Sequence, residues 1–363
     1  MPPKESRRIL VALVVGALVL VGVAAAPGGT PAKAADTDPV IAAAGNIACD
    51  PTNPSFNALA GTKSACRMKA VSDLMLNTDG TPKYGTVLAL GDTQYICGGL
   101  SAYQQSYDPT WGRLYGVTHP VVGDKDYRTT ANAPTGTGCS APPGRAEGFY
   151  AYFAGLGLQP LAPKPPGAGA YYSFNVPSGC TPDGINPCWH FVALNGNCTK
   201  APGCVPGTKQ YDWLAADLAA YPNSAYSCTV AYWHWPRFSS GTHGSDATFD
   251  SVWRLLYANG VDVVLNAHEH TYERFAQQDP DGNADPVNGI REFVVGTGGA
   301  SHAKFPSVAR IANSEASSDK TFGILTLGLH LDSYDWNFIP DRSTLTGHQV
   351  AFTDASTVPT SCH

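Results

Sequence analysis

Several short apolar runs of the sequence end in side chains that can ligate a metal ion. Imidazole nitrogens and hard oxygen donors suit iron, zinc or manganese. Seven such groups are too many for one ion, but they suit two ions that share a bridging carboxylate, an arrangement that activates water and clamps a phosphoryl oxygen. The groups are Asn46 in AAGNIAC, Asp92 and Tyr95 in ALGDTQY, Asp124 in VVGDKDY, His234 in AYWHWP, and His268 and His270 in LNAHEH.

None of these motifs is specific by itself. A GDxxY run or a charged tip such as GDKDY is most often a turn, and an HxH pair on one face of a strand is most often structural. The informative feature is that several strand-end motifs follow one another in order along a single chain.

Strands and helices alternate in the first third of the chain. Buried strands are predicted at PVIAAAGNIAC, TVLALGD and HPVVGD, with helices at CRMKAVSDLMLN and YQQSYDPTWGRLYG between them. This order favours a parallel or mixed sheet covered by helices, and such sheets bind ligands where their strands end.

The α/β pattern resumes after a loop-rich stretch at about 128–187. WHFVALN, SCTVAYWHWP and VDVVLNAHEH predict strands, and TKQYDWLAADLAAYP and DATFDSVWRLLYANG predict helices. REFVVGTGG, TFGILTLGLH and YDWNFIP alternate like strands separated by hairpin-length gaps, which favours antiparallel pairing. The predicted fold class is an α/β sandwich of two sheets in one domain.

The composition is typical of a chain with a large buried core. Of the 363 residues, 43% are hydrophobic and 14% are charged, which argues against disorder. The net charge is −6, and no cluster of Lys and Arg occurs beyond the N-terminus. Binding of nucleic acid through a basic face is therefore not expected.

The N-terminus has the pattern of an export signal. Lys4, Arg7 and Arg8 precede an apolar run at 9–26, and the AKA at 32–34 has the small-residue spacing that a signal peptidase reads. A retained membrane anchor is the alternative, because the apolar run approaches spanning length. We predict a cleaved signal at 1–34, a linker at 35–38, one domain at 39–345, a tail at 346–363, and a secreted or extracytoplasmic location without a membrane span after cleavage.

Ten cysteines follow the predicted signal. Because their number is even and the predicted compartment is oxidising, five disulfides are expected. A bridge to Cys362 would tie the tail to the domain, although the sequence does not define that pairing. Close spacing favours the bridges Cys49–Cys66, Cys180–Cys188 and Cys198–Cys204.

With its motifs in this order, the chain resembles the calcineurin-like metallophosphoesterases, in particular their purple acid phosphatase branch. The family series is GD, GDxxY, GNH[DE], HxP and GHxHxYER, and here it is GNIAC, GDTQY, GDKDY, HWP and AHEHTYER. The resemblance covers most of residues 39–345. It implies a four-layer α/β/β/α sandwich of two mixed sheets and a centre of two metal ions, which would be iron, zinc or manganese.

The resemblance also divides the ligands into two half-sites bridged by Asp92. A phenolate ligand at Tyr95 favours a ferric ion and points to the purple branch, while many relatives have a histidine where this chain has Ala48. One implied half-site consists of position 46, Asp92, Tyr95 and His270, and the other of Asp92, position 124, His234 and His268.

Three positions depart from the family pattern. Asn46 stands where the family has aspartate, and Asp124 and Lys125 stand where it has asparagine and histidine. The first two changes keep the formal charge of the ligands but move one carboxylate to the other half-site. We therefore expect weaker ion binding and a reduced ferric preference at the Asn46 half-site, with tighter binding at the Asp124 half-site.

Lys125 occupies the position where the resemblance implies a proton donor near the leaving group. An ammonium beside metal ions could stabilise phosphoryl oxygens or donate a proton. An ion pair with Asp126 would instead leave Lys125 without a chemical role. Both readings stay open at this point.

Other polar residues near the motifs are weaker candidates. His243 in FSSGTHGSD could replace the missing proton donor, or it could lie in solvent. His302 is expected to take no part in the chemistry. Tyr272, Glu273 and Arg274 in TYER are expected to support the loop that carries the histidines.

Two functional hypotheses follow. The first is an exported dinuclear-metal phosphoesterase, in which a metal-bound hydroxide attacks a small phosphomonoester or phosphodiester. The second is a degenerate phosphoesterase that binds a partner or catalyses a different reaction on the same scaffold, because three motif positions changed together. The retained Asp92, Tyr95 and histidines favour the first hypothesis. The oligomeric state is left open.

Overall fold

The computed structural model describes residues 38–128, 146–157, 169–199, 203–222, 225–343, 345 and 350–363. The predicted signal at 1–34, most of the linker at 35–38 and part of the predicted tail lie outside these ranges. Across the described part of the chain, no helix combines the length and apolar character that a membrane span requires.

Two sheets and short helices form the described part of the chain. The strands are β1 (Val40–Ala44), β2 (Val87–Leu90), β3 (Thr118–Val121), β4 (Tyr172–Val176), β5 (Trp189–Ala193), β6 (Thr229–Tyr232), β7 (Val263–Asn266), β8 (Tyr272–Phe275), β9 (Arg291–Val295), β10 (Ser314–Ser318), β11 (Gly323–Leu329), β12 (Ser333–Pro340) and β13 (Thr360–Ser361). The α-helices are α1 (Met68–Asp73), α2 (Leu100–Ala102), α3 (Glu147–Phe153), α4 (Lys209–Ala220) and α5 (Asp250–Ala258). Short 3-10 segments lie at Asn57–Leu59, Trp111–Val117, Ala154–Leu156 and Ala247–Phe249, and a π turn lies at Tyr103–Tyr107.

Both sheets are mixed. One has the strand order β13-β12-β11-β1-β2-β3, and the other has the order β10-β8-β9-β7-β6-β5-β4. In the first sheet β1, β2 and β3 are parallel, and β1 pairs antiparallel with β11. In the second sheet β5, β6, β7 and β9 are parallel, and β4 and β8 pair antiparallel with their neighbours.

The burial of successive side chains along β6 shows that the seven-stranded sheet is covered on both faces. Val230 and Tyr232 are buried in the cluster that includes the strands of the other sheet. Ala231, between them, is buried in the cluster that contains Leu214 of α4 and Trp253 of α5. Because successive strand side chains point to opposite faces, a continuous apolar run fits a strand that is buried on both sides.

Helices also contribute to the core on the side of the six-stranded sheet. Met68 and Val71 of α1, and Phe149 and Phe153 of α3, are buried in one cluster with β1 and β2. The layers are therefore helices, sheet, sheet and helices. The predicted four-layer α/β/β/α sandwich of two mixed sheets is confirmed.

Three local predictions need correction. YQQSYDPTWGRLYG is not one α-helix but a π turn followed by a 3-10 segment, since Pro109 lacks an N–H and interrupts regular helix bonding. The loop-rich stretch at about 128–187 contains α3 and β4, which were not predicted. β9 pairs in parallel with β7, so antiparallel pairing holds for only one of its edges.

Three disulfides among the described residues are those predicted from close spacing. Cys97 is disulfide-bonded as well, and Cys139 lies outside the described ranges. The predicted bridges that are present are Cys49–Cys66, Cys180–Cys188 and Cys198–Cys204.

A further bridge joins Cys362 to Cys228, which directly precedes β6. Its partners are separated by 134 residues, so it ties the C-terminal segment to the middle of the chain. A cross-link that closes a long loop removes more entropy from the unfolded chain than one that closes a short loop.

We expect the double substitution Cys228→Ala/Cys362→Ala to lower the free energy of unfolding by about 5 kcal/mol, given the length of the loop. The matched control is Cys180→Ala/Cys188→Ala, which removes a bridge of sequence separation 8 and should cost about 2.5 kcal/mol. Urea unfolding followed by tryptophan fluorescence measures both values. A smaller loss for the long loop than for the short one would contradict this account.

Candidate metal centre

The predicted ligands lie where parallel strands of both sheets end. Asn46 follows β1, Asp92 follows β2 and Asp124 follows β3, and these strands are parallel neighbours. His234 follows β6 and His268 follows β7, a parallel pair in the other sheet. Since the carboxyl ends of parallel strands meet at one edge, the topology brings together side chains that are far apart in sequence.

Three ligand positions have a left-handed backbone, with φ of 57° at Asn46, 48° at Asp92 and 60° at His268. Such values are uncommon for residues other than glycine, and they persist where the surrounding structure holds them, often at functional sites. Gly91 permits a close approach of two loops, because a Cβ there would lie 2.7 Å from Nδ1 of His234. The glycine before Asp92 is therefore required by packing as well as by its own φ of 82°.

Four side chains lie close enough together to hold one metal ion. Nε2 of His234 lies 3.3 Å from Oδ1 of Asp92 and 3.4 Å from Oδ1 of Asp124. Nδ1 of His268 lies 3.3 Å from that same Asp124 oxygen and 3.3 Å from Nε2 of His234. A tetrahedral ion with ligands at about 2.0–2.1 Å spaces those ligands about 3.3–3.4 Å apart. The four residues could therefore hold an ion.

Contacts behind the two histidines orient their rings. Nδ1 of His234 lies 2.8 Å from the carbonyl oxygen of Leu90, to which it donates, so Nε2 faces the carboxylates without a proton when a metal is held. The ring of His268 stacks on Trp235, with the ring centres 3.9 Å apart and an interplanar angle of 16°. Both rings are thus fixed by neighbours outside the ligand set.

The remaining predicted ligands meet around the phenolic oxygen of Tyr95. This hydroxyl donates to Oδ2 of Asp92 at 2.7 Å. It accepts a hydrogen bond from Nδ2 of Asn46 at 2.8 Å and lies 3.1 Å from Nε2 of His270. Nδ1 of His270 in turn lies 2.9 Å from the carbonyl oxygen of Ser301. The side chains of both implied half-sites are therefore neighbours, with Asp92 between them.

Burial and nearby charges shift the pKa values of this group. Burial alone would raise the pKa of Asp92 and of Asp124, but His234 and Lys125 outweigh it and both are lowered. Burial would lower the pKa of His234, yet the two carboxylates raise it to about 10. Burial, and then the Asp92 carboxylate, raises the pKa of Tyr95 well above its usual value. The phenol is therefore protonated, as its hydrogen bond to Asp92 requires.

Lys125 lies inside the centre and not in a solvated turn. Its backbone N–H donates to Oδ1 of Asp92 at 2.8 Å. Its ammonium lies 2.6 Å from Oδ2 of Asp124 and 3.6 Å from Oδ2 of Asp92, and its side chain is 22% exposed. Burial would lower the pKa of Lys125, but the two carboxylates outweigh it and raise it. The alternative ion pair with Asp126 is wrong, because Lys125 pairs with the ligand carboxylates.

Asp126 is a buried anchor between two of the loops. Its Oδ1 accepts hydrogen bonds from the hydroxyls of Thr93 and Tyr103, each at 2.8 Å. Its Oδ2 accepts from the backbone N–H of Gly123 at 2.8 Å. Burial, and then the charge of Asp92, raises the pKa of Asp126 to about 6. Sequence reasoning missed this role, since the second acid of GDKDY carries no signal of its partners.

His243 lies at the mouth of the centre and is held by Glu269. The centres of the His243 and His268 rings are 4.5 Å apart, and the His243 side chain is 58% exposed. Oε1 of the buried Glu269 accepts from the backbone N–H of His243 at 2.7 Å and lies 3.2 Å from its Nδ1. Sequence reasoning missed Glu269. The sequence did offer one indication: Glu269 stands between His268 and His270. If the two histidines share one face, the acid between them points to the opposite face.

The weaker candidates lie beside the ligand set. His302 stacks on Phe322 with the ring centres 3.7 Å apart, and burial lowers its pKa to about 4. Tyr272 and Arg274 both donate to Oδ2 of Asp354 at 2.7 Å, which links the histidine loop to the C-terminal segment. These contacts are of the supporting kind predicted for TYER.

Known proteins with similar sequences are purple acid phosphatases, although no family model matches the chain. Purple acid phosphatase 15 of Arabidopsis thaliana is 36% identical over 107 residues, which is 29% of this chain and 18% of that protein. Probable purple acid phosphatase 20 of the same plant is 28% identical over 200 residues, 53% of this chain and 43% of that protein. The matches thus cover less than half the length of these relatives.

Two solved structures share the fold. Purple acid phosphatase PPD1 from yellow lupin (Lupinus luteus) seeds has a TM-score of 0.62 at 14% identity, covering 88% of this chain and 54% of that chain. GAP50, the anchor in the inner membrane complex of Plasmodium, has a TM-score of 0.56 at 14% identity, covering 90% of this chain and 89% of that one. At this identity the likeness concerns the fold alone.

The sandwich of two mixed sheets and the cluster of strand-end side chains agree with the resemblance to the calcineurin-like metallophosphoesterases. Within that class, the sequence relatives support the purple acid phosphatase-like branch that the motif order predicted.

Replacing Asp124 with alanine is expected to weaken Zn²⁺ binding by more than about 100-fold. Loss of a hydrogen bond to a metal ligand typically lowers metal affinity about 10–100-fold, and loss of the ligand itself should lower it further. Calorimetric titration of chelator-stripped protein measures the affinity. Asp332→Ala, at an exposed position, is the matched control and should bind normally. Equal affinities in the two variants would remove Asp124 from the ligand set.

Proposed function

We propose that the protein is an exported, metal-dependent phosphoesterase that hydrolyses a small phosphomonoester or phosphodiester. The observation that carries this proposal is the convergence of Asp92, Asp124, His234 and His268 where four strands end, within reach of one ion. When bound there, iron, zinc or manganese supplies Lewis-acid stabilisation of a phosphoryl group and lowers the pKa of water. The sequence relatives, which are named as phosphatases, support the same reaction class.

Lys125 is proposed to bind phosphoryl oxygens. Its ammonium is partly exposed beside Asp92 and Asp124, so it can reach both the ligand carboxylates and a group that enters the centre. A fixed cation next to the ligand set stabilises the negative charge that develops on a phosphoryl group during hydrolysis. This role uses the ammonium as a charge and not as a proton donor.

His243 is proposed to donate a proton to the leaving group, with Glu269 as its positioning residue. The imidazole lies next to His268 but remains exposed to the mouth of the centre. Glu269 lies 3.2 Å from its Nδ1, which would hold the ring and leave Nε2 to donate a proton to a leaving group.

The substrate is proposed to be a small phosphate ester. With a net charge of −6 and no basic cluster beyond the N-terminus, the chain lacks the charge pattern that binds long nucleic acids. Small phosphate esters need only the few cations of the centre itself.

Export is proposed from the signal-like N-terminus and from the disulfides. Bridges such as Cys49–Cys66 and Cys228–Cys362 form and persist in oxidising compartments. A cytosolic protein with this cysteine usage would be exceptional.

A binding protein on a phosphoesterase scaffold is the second candidate. Its support is the ion pair between Lys125 and Asp124, in which an ammonium engages a ligand carboxylate. GAP50, which shares the fold, is described as the anchor in the inner membrane complex of Plasmodium.

Asp92→Asn is expected to lower kcat at least about 100-fold on an aryl phosphate ester, since Asp92 contacts both halves of the centre. The assay compares wild type and variant after loading with iron, zinc or manganese. Ion binding without hydrolysis in any of these preparations would reject the enzyme and support the binding protein.

His243→Ala is expected to lower kcat by about 10²–10⁴-fold on alkyl phosphates, whose leaving groups need a proton, and much less on activated aryl phosphates. Glu269→Gln should reproduce this dependence on the leaving group in weaker form, because it keeps the hydrogen bond but removes the charge. An equal loss on both classes of ester would contradict proton donation by His243.

A further inference from the structure

Asn46 presents hydrogen-bond donors at the position between Tyr95 and His270, where a second metal ion would need acceptors. His270 faces that position with Nε2, because its Nδ1 donates to the carbonyl oxygen of Ser301. Nδ2 of Asn46 donates to the Tyr95 hydroxyl at 2.8 Å and to the carbonyl oxygen of His268 at 3.2 Å. Reversing the amide would set its Oδ1 against that carbonyl oxygen, two acceptors facing each other. Asn46 therefore presents N–H groups to this position, and they do not suit a cation.

The phenol of Tyr95 takes part in the same hydrogen-bond network. It donates to Oδ2 of Asp92 at 2.7 Å while it accepts from Asn46. The Asp92 carboxylate and the Asn46 amide thus both engage the Tyr95 oxygen, which a second ion would need as a ligand.

An ammonium already lies beside the carboxylate oxygen that a second ion would use. Nζ of Lys125 lies 3.6 Å from Oδ2 of Asp92 and 5.8 Å from the centre of the Tyr95 ring. Two unit charges of like sign that are 4 Å apart repel by about 4 kcal/mol at an effective dielectric constant of about 20. A divalent ion on Oδ2 would face about twice this repulsion.

Asp124 connects the ammonium to the first ion position. Its Oδ1 lies 3.4 Å from Nε2 of His234 and 3.3 Å from Nδ1 of His268, while its Oδ2 lies 2.6 Å from Nζ of Lys125. An asparagine here would offer one acceptor oxygen and could not serve both cations. The carboxylate at 124, the lysine at 125 and the amide at 46 are therefore parts of one coupled change.

We propose that this centre holds one tightly bound metal ion, at Asp92, Asp124, His234 and His268, and that the ammonium of Lys125 takes the place of a second. The proposal rests on the ion-binding part of the proposed function and deepens it, because a fixed ammonium would bind phosphoryl oxygens in place of an exchangeable ion. It also sharpens the expectation of weak ion binding at the Asn46 half-site.

Metal counting tests this inference without any assay of turnover. Wild-type protein, loaded with excess zinc or manganese and then dialysed, is expected to retain one ion per chain by elemental analysis. The triple variant Asn46→Asp/Asp124→Asn/Lys125→His, which carries the family residues, is expected to retain two. Loaded with ferric iron, the triple variant should show a visible phenolate charge-transfer band that the wild type lacks.

Lys125→Met isolates the ammonium, because it keeps most of the side-chain length and removes the charge. Because the repulsion is removed, a second metal ion should bind at least about tenfold more tightly in a calorimetric titration. Lys320→Met, at an exposed position, is the matched control and should leave the titration unchanged. Asn46→Asp is a second, independent variant, and it should also strengthen binding of the second metal ion. Thermal unfolding checks that each variant folds.

Two tightly retained ions in the wild type would overturn the inference. A folded Lys125→Met variant that binds a second metal ion no more tightly than the wild type would also overturn it. One retained ion without hydrolysis of any ester would reject the proposed function and leave this inference standing.

Discussion

Asp92 brings two carboxylate oxygens into the buried end of the centre, and each oxygen contacts a different half-site. Oδ1 accepts from the backbone of Lys125 and lies beside His234, while Oδ2 accepts from Tyr95. A buried carboxylate without partners costs several kcal/mol, so the structure around it must supply donors and positive charge. The strand ends, the left-handed backbone and the close approach at Gly91 together place those partners around one side chain.

The positive charges around Asp92 also explain why the departures from the family pattern occur together. Lys125 could not enter the centre without an additional carboxylate, and Asp124 supplies it through the oxygen that faces away from the histidines. Asn46 keeps the opposite side neutral and fills it with N–H donors. Relative to the family pattern, charge is thus redistributed among positions 46, 124 and 125 of the same set of loops.

The strands and their terminal ligands could be predicted from sequence, because buried strands have a recognisable length and the motifs keep one order. Contacts between loops could not. Glu269 accepts a hydrogen bond from His243, 26 residues away, and Asp126 accepts one from Thr93, 33 residues away. No local sequence pattern encodes such pairs. The parallel pairing of β9 with β7 was missed for a related reason, since alternation defines which face a residue occupies but not which strand lies beside it.

Backbone hydrogen bonds also hold the left-handed residues at the strand ends. The N–H of Asn46 donates to the carbonyl of Gly91 at 3.1 Å, and the N–H of Ile47 donates to the carbonyl of Asp92 at 2.9 Å, so β1 and β2 remain linked beyond their last regular pair. The N–H of Ala267 donates in the same way to the carbonyl of His234 at 2.9 Å. Ligand side chains can therefore be exchanged, carboxylate for amide or imidazole for ammonium, without rebuilding the loops. Such a scaffold is evolvable at its most functional positions, and new ion chemistry is accessible to it through coupled substitutions of a few ligand side chains.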